Sequence, residues 1–232
     1  MKKSFTMLEL IFVIIVIGIL AAVLSPEMKS NKIREAAIQL ISHIRYTQHL
    51  AMIDDKFDTT NPIWYKSRWQ LIFRTTIKET SSGGETINVQ SYTIFSDKQS
   101  NTGTLPDGNP NTTNNEIALD PANSNKFLSG GFSTTISLEH KRRKHNMELK
   151  STYGIIDVDF LDGCSGAKRI TFDHLGRPLF GLTSSTNSPY EKLMTQSCKI
   201  SICSVSNCST VSEGDSKVTI VIEPETGYAH IL

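Results

Sequence analysis

The chain has 232 residues, a formal net charge of +1 and 8% aromatic residues. That length suits one membrane helix plus one globular domain of modest size, and the near-neutral charge lacks the basic excess of a dedicated nucleic-acid binder. No G-x-S-x-G, H-E-x-x-H, Walker or G-x-G-x-x-G pattern occurs, so no enzyme class has support and no cofactor is expected.

The first element is an apolar run over 5–24, preceded by the basic leader Met1, Lys2, Lys3, Ser4. Between positions 10 and 24 (LIFVIIVIGILAAVL) no side chain is charged or strongly polar. Twenty helical residues at ~1.5 Å each cover about 30 Å, the thickness of a hydrocarbon core, so a transmembrane helix is expected over 5–25. Lys2 and Lys3 put the N-terminus in the cytoplasm by the positive-inside rule. A single-pass inner-membrane protein with a periplasmic head is the resulting expectation. Glu9 is the exception in the run, because a carboxylate inside such a helix costs about 2.5–3.5 kcal/mol. A peptidase cut between Ser4 and Phe5 would free an α-amine able to neutralise Glu9 of a packed neighbour. A secretory signal or a plain anchor would explain the apolar run but not an acid at its start.

The stretch Lys3-Ser4-Phe5-Thr6-Met7-Leu8-Glu9-Leu10, with the run behind it, resembles the N-terminus of type IV pilins and type II secretion pseudopilins. That resemblance implies cleavage by a prepilin peptidase between Ser4 and Phe5, N-methylation of Phe5, an assembly role for Glu9 and a helix kink at Pro26. Ser4 stands where the family usually has Gly.

Pro26 has no amide hydrogen and its ring opposes continuation of a helix. The helical pattern resumes within 26–55, an amphipathic stalk with Ile33, Ala37, Leu40, Ile44 and Ala51 on one face. Lys32, Arg34, Glu35, Gln39, His43 and Gln48 occupy the other. From 56 to 232 the pattern is that of a β-rich head. Strands are expected over 69–73 (WQLIF), 86–95, 132–139, 153–161, 169–172, 178–182, 197–205 and 218–223, and a long polar loop over 96–125. Short strands without intervening helical patterns pair as antiparallel meanders. The expected fold is α+β: a long N-terminal helix, half transmembrane and half amphipathic, packed on an antiparallel β-sheet head.

Two strand-turn-strand stretches, 170–178 (ITFDHLGRP) and 218–228 (VTIVIEPETGY), resemble the H-type minor pseudopilins and FimT-like minor pilins, as does Trp69 in an early strand. Tyr228 stands where that family often has Arg. The implied partners are other pilin or pseudopilin subunits, the prepilin peptidase, the inner membrane and its assembly machinery.

Cys164, Cys198, Cys203 and Cys208 allow three pairings. Their C-x4-C-x4-C spacing is not that of a zinc site, and an oxidising compartment favours one or two disulfides. Six scattered histidines suggest no metal centre. Asp107, Asn109 and Asn111 imitate the start of a calcium loop without its Gly at the sixth position or Glu at the twelfth. The strongest charge feature is Lys141, Arg142, Arg143 and Lys144, flanked by His140 and His145. It reads as a solvated hairpin tip, or as a grip on the phosphate backbone of DNA. The expected function is therefore a minor pilin or pseudopilin of a type II secretion or type IV pilus system, assembling into a periplasmic filament for protein secretion. The alternative is a DNA-binding minor pilin of natural transformation.

Overall fold

The structure, a computed structural model, describes residues 6–24, 31–78, 87–99, 105–132, 135–166 and 168–232. The chain divides into two compact units, Met1–Asn31 and Lys32–Leu232.

The described residues of the first unit form one helix, α1 (Met7–Leu24), of 18 residues. Its start is a capping box: the Glu9 carboxylate accepts from the Thr6 amide and hydroxyl, both at 2.9 Å, and Thr6 Oγ1 accepts from the Glu9 amide. Every described side chain from position 7 to 20 is exposed.

This corrects the expected membrane span. Eighteen residues rise ~27 Å, short of the ~30 Å core, and the charge-free part begins only at Leu10. Among the described residues no helix is long and apolar enough to cross a membrane. The transmembrane and membrane assignment, and the single-pass inner-membrane placement with a periplasmic head, are therefore not supported. The fold class is corrected with them. In place of one long N-terminal helix there are separate helices of 18 and 22 residues, α1 and α2 (Lys32–Ile53), in different units, and a third of 5 residues. The described structure is mostly β-sheet, and its sheets are antiparallel.

In the second unit two four-stranded sheets are built around α2. The first has the order β2-β1-β6-β7, formed by β1 (Trp69–Lys78), β2 (Ile87–Ser96), β6 (Arg169–Phe172) and β7 (Pro178–Phe180). The second has the order β10-β9-β8-β5, formed by β5 (Asp157–Asp162), β8 (Cys198–Cys203), β9 (Lys217–Ile222) and β10 (Ala229–Ile231). A small hairpin joins β3 (Leu119–Asp120) to β4 (Asn123–Phe127) inside the polar loop.

The apolar face of α2 is buried at Ile33, Ala36, Ala37, Leu40, Ile41, Ile44 and Ala51. It shares one core with Leu71, Phe73, Tyr92, Ile94 and Phe172 of the first sheet and with Phe160, Ile200, Ile202, Ile220 and Ile222 of the second. The first sheet is covered on its other face too, where Ile72 and Phe95 meet Ile117, Phe127, Phe132 and Ile136. Burial on both faces explains why β1 and β2 alternate only in part: neither face had to be polar. The β6–β7 turn is set by Asp173, whose Oδ1 accepts from the amides of Leu175 and Arg177, while Gly176 takes φ +79.

One expected strand is replaced and another starts later than expected. Over 132–139 the described residues show an isolated bridge, Phe132↔Ile136, and the two side chains act as anchors for the second apolar cluster. Tyr153 ends α3 (Leu149–Tyr153), which Glu148 caps by accepting from the Ser151 amide and which Gly154 terminates in the left-handed region. The strand there begins only at Asp157.

Candidate assembly and binding surfaces

Of the residues expected to direct processing and assembly, Ser4, Phe5 and Pro26 lie outside the described residues. Glu9 is described, exposed, and engaged with Thr6 three residues before it. The apolar surface around it runs through Leu8, Leu10, Ile11, Phe12, Ile14 and Ile15, each at least half exposed. A helix apolar on every face is normally buried, so α1 presents a surface that calls for a partner.

The four cysteines form two disulfides, Cys164–Cys198 and Cys203–Cys208. The first ties the turn after β5 to the start of β8, and the second ties the end of β8 to the short helical turn at Cys208–Thr210. Asp157, Asp159 and Cys208 come close enough to suggest a metal site, but the Cys208 sulfur is already bonded to Cys203 and offers no thiolate.

The basic run folds into a turn in which three of its four cations have partners. Arg143 is buried and its Nη1 donates to the Gly130 carbonyl at 3.1 Å. Lys144 pairs with Asp120 at 2.7 Å. Arg142 lies over the Phe127 ring at 3.9 Å, and its Nε donates to the Asn125 carbonyl. The geometry thus ties Arg143 and Lys144 into the fold, while Lys141 and Arg142 are exposed, Arg142 lying along the surface over Phe127. The calcium-like triplet is also occupied locally. Asp107 Oδ1 accepts from the Asn109 amide, and Asn111 Oδ1 accepts from the amides of Thr113 and Asn114. These are Asx turns.

Two polar groupings had no counterpart in the sequence reading. On α2, Gln39 Nε2 donates to the Tyr92 hydroxyl at 2.8 Å and to the Asn146 carbonyl at 2.7 Å, while its Oε1 accepts from the Tyr153 hydroxyl at 2.7 Å. The Tyr92 hydroxyl shares a 2.7 Å bond with His43 Nδ1. Burial first, then the nearby Lys144 charge, brings the His43 pKa down to about 4. A neutral imidazole is the acceptor that the Tyr92 hydroxyl requires. Tyr92 is itself fully buried, so this network sets the register of α2 on the first sheet.

The second grouping sits near the end of β9. Ser197 donates to Glu223 Oε2 at 2.7 Å, and His230 Nε2 meets Glu223 Oε1 at 3.1 Å. The three residue types are those of a hydrolase triad, but the order is wrong. The carboxylate lies between the hydroxyl and the imidazole, so His230 cannot take the Ser197 proton directly. The Glu223 bond raises the His230 pKa, which favours an ion pair rather than a general base.

Beneath the loop at 105–116 are two buried acids. Asp97 Oδ2 accepts from the Gly108 amide, and Glu116 accepts from the Asn111 amide and side chain at 2.9 and 3.0 Å. Burial pushes the Asp97 carboxyl up to about 7, against the lowering effect of the Gly108 bond. These acids fasten the long loop to the end of β2.

No family model matches the chain, no curated protein matches it, and no solved structure matches its fold.

Proposed function

We propose that the chain is a minor pilin or pseudopilin, a subunit that joins like subunits in the filament of a type II secretion or type IV pilus system. The observation that carries this reading is α1, apolar on every face, exposed, and marked by one acid near its start. Packing against the same helix of neighbouring subunits would cover that surface, and Glu9 in each copy would set the register. The N-terminal resemblance over Lys3 to Leu10 supports the same assignment. The two disulfides support a subunit that matures under oxidising conditions. The second unit, with α2 between two sheets, is the specific head, and the role is structural rather than catalytic.

The test is Glu9→Ala in the full chain, expressed with its partner subunits. Both disulfides and the folded head are expected to persist, while recovery in the sheared filament fraction falls to background. Recovery equal to the unaltered chain would count against the proposal.

A further inference from the structure

The two edges of β1 are paired unequally. Its ladder with β2 covers all ten residues, from Trp69↔Ser96 to Lys78↔Ile87. The ladder with β6 stops at Ile72↔Arg169, after which one more bond joins the Phe73 amide to the Lys168 carbonyl at 2.8 Å. Among the described residues no strand continues along that edge beyond Phe73. Backbone groups alternate between the two edges of an antiparallel strand. Since the Phe73 amide points toward β6, the N–H and C=O of Thr75 point to the same, open side. Groups on an edge without a partner strand among the described residues are a template for an added strand.

A notch of about 470 Å³ lies beside this edge. Ile72, Phe73 and Leu182 give it apolar walls, and Gly166 and Gly181 border it with no side chain to fill the space. Among the described residues that line it, the charged ones are Arg74, Lys168 and Arg169, with no acid. Arg74 and Lys168 are exposed, whereas Arg169 is buried and donates to Gln70 Oε1 at 2.7 Å. Cations on an open edge repel a second copy of the same edge, which is how proteins guard against self-pairing. The same charges attract an extended chain of opposite sign.

We propose that the Arg74–Lys78 edge of β1 accepts an extended acidic segment of a partner protein as an added strand. Its carboxylates pair with Arg74 on one face of the sheet and with Lys168 on the other, and its backbone bonds to Thr75. This goes beyond the filament reading and does not depend on it, because α1 takes no part.

The test uses the full chain in a neutral detergent and two labelled peptides, one alternating Glu with Val and one alternating Lys with Val, followed by fluorescence anisotropy. The acidic peptide is expected to bind saturably and at least about tenfold more tightly than the basic one. Arg74→Glu with Lys168→Glu should weaken it by about tenfold or more, and the milder Arg74→Gln with Lys168→Gln by less. Thr75→Pro keeps both charges and removes an amide on the open edge together with the Thr75 hydroxyl bond to Gln90 on the paired side, so it should also weaken binding by about tenfold. Cooperative urea unfolding of each variant checks that the fold is kept. Absence of saturable binding, equal binding of the two peptides, or indifference to Thr75→Pro would overturn the proposal. Tighter binding of a single-stranded oligonucleotide than of the acidic peptide, unaffected by Thr75→Pro, would overturn it in favour of a nucleic-acid ligand.

Discussion

Gln48 Nε2 donates to the Gly176 carbonyl at 2.8 Å, and its other hydrogen goes to the Thr226 carbonyl at 2.8 Å. One amide on α2 thereby fastens the β6–β7 turn of the first sheet to the β9–β10 turn of the second. The fit is close, since a Cβ on Gly227 would lie 2.4 Å from the Gly176 oxygen, and Gly227 has φ +65. Gln48→Ala is expected to lower stability by about 1–3 kcal/mol, the cost of leaving carbonyls without a donor. Gly227→Ala, which adds both a clash and backbone strain, should cost more. Urea denaturation of the two variants gives the order directly.

The two disulfides should differ in worth because they close loops of different size. Cys164–Cys198 spans 34 residues and Cys203–Cys208 spans 5. Chain entropy assigns about 4 kcal/mol to the first and about 2 kcal/mol to the second. Paired Cys→Ser variants, compared by denaturant midpoint under oxidising conditions, are expected to follow that order.

Acid dependence should show two opposing buried groups. Asp97 titrates at about 7 in the folded chain, above its ordinary 3.8, so its contribution is complete below that ordinary value and is lost as pH rises through about 7. His43 titrates at about 4, below its ordinary 6.5, so its contribution is present above 6.5 and is lost as pH falls toward 4. Between these values the slopes oppose, each at most about 1.4 kcal/mol per pH unit. Relative to the unaltered chain, Asp97→Asn should make stability rise more steeply from pH 4 to 6.5. His43→Gln should make it fall more steeply. Urea midpoints across that range measure both.

The basic run should behave as part of the fold. Arg143→Ala removes a buried donor to Gly130 and is expected to cost about 1–3 kcal/mol, whereas Lys141→Ala at the exposed position should stay within about 0.5 kcal/mol. If the run were instead a grip on DNA, Lys141→Ala and Arg142→Ala would reduce retention of a short duplex at low salt without a matching loss of stability.

Sequence pattern reached the elements whose signals are local. The apolar face of α2, the strands at Arg169–Phe172 and Lys217–Ile222, and the Asp173 turn with Gly176 follow from periodicity and turn chemistry. Periodicity misled where an apolar residue was an isolated anchor, as at Ile136, which plugs a cluster without extending a strand. Thr6 and Glu9 form a capping box legible in their T-x-x-E spacing, although the charge of Glu9 in an apolar run is the more conspicuous signal. The apolar run over 5–24 has the length to span a bilayer, whereas the helix described within it has 18 residues. The cysteine pairing and the Gln39, Tyr92, His43 network depend on residues far apart in the chain, which no local pattern brings together.

The central claim is that α1 is covered by like helices in an assembled filament. A benzophenone side chain placed at Phe12, which is 68% exposed, reports its neighbours on illumination of the sheared filament fraction. The expected product is a cross-link from Phe12 to the N-terminal apolar helix of another filament subunit. Only uncross-linked chain, or adducts confined to proteins without such a helix, would contradict it.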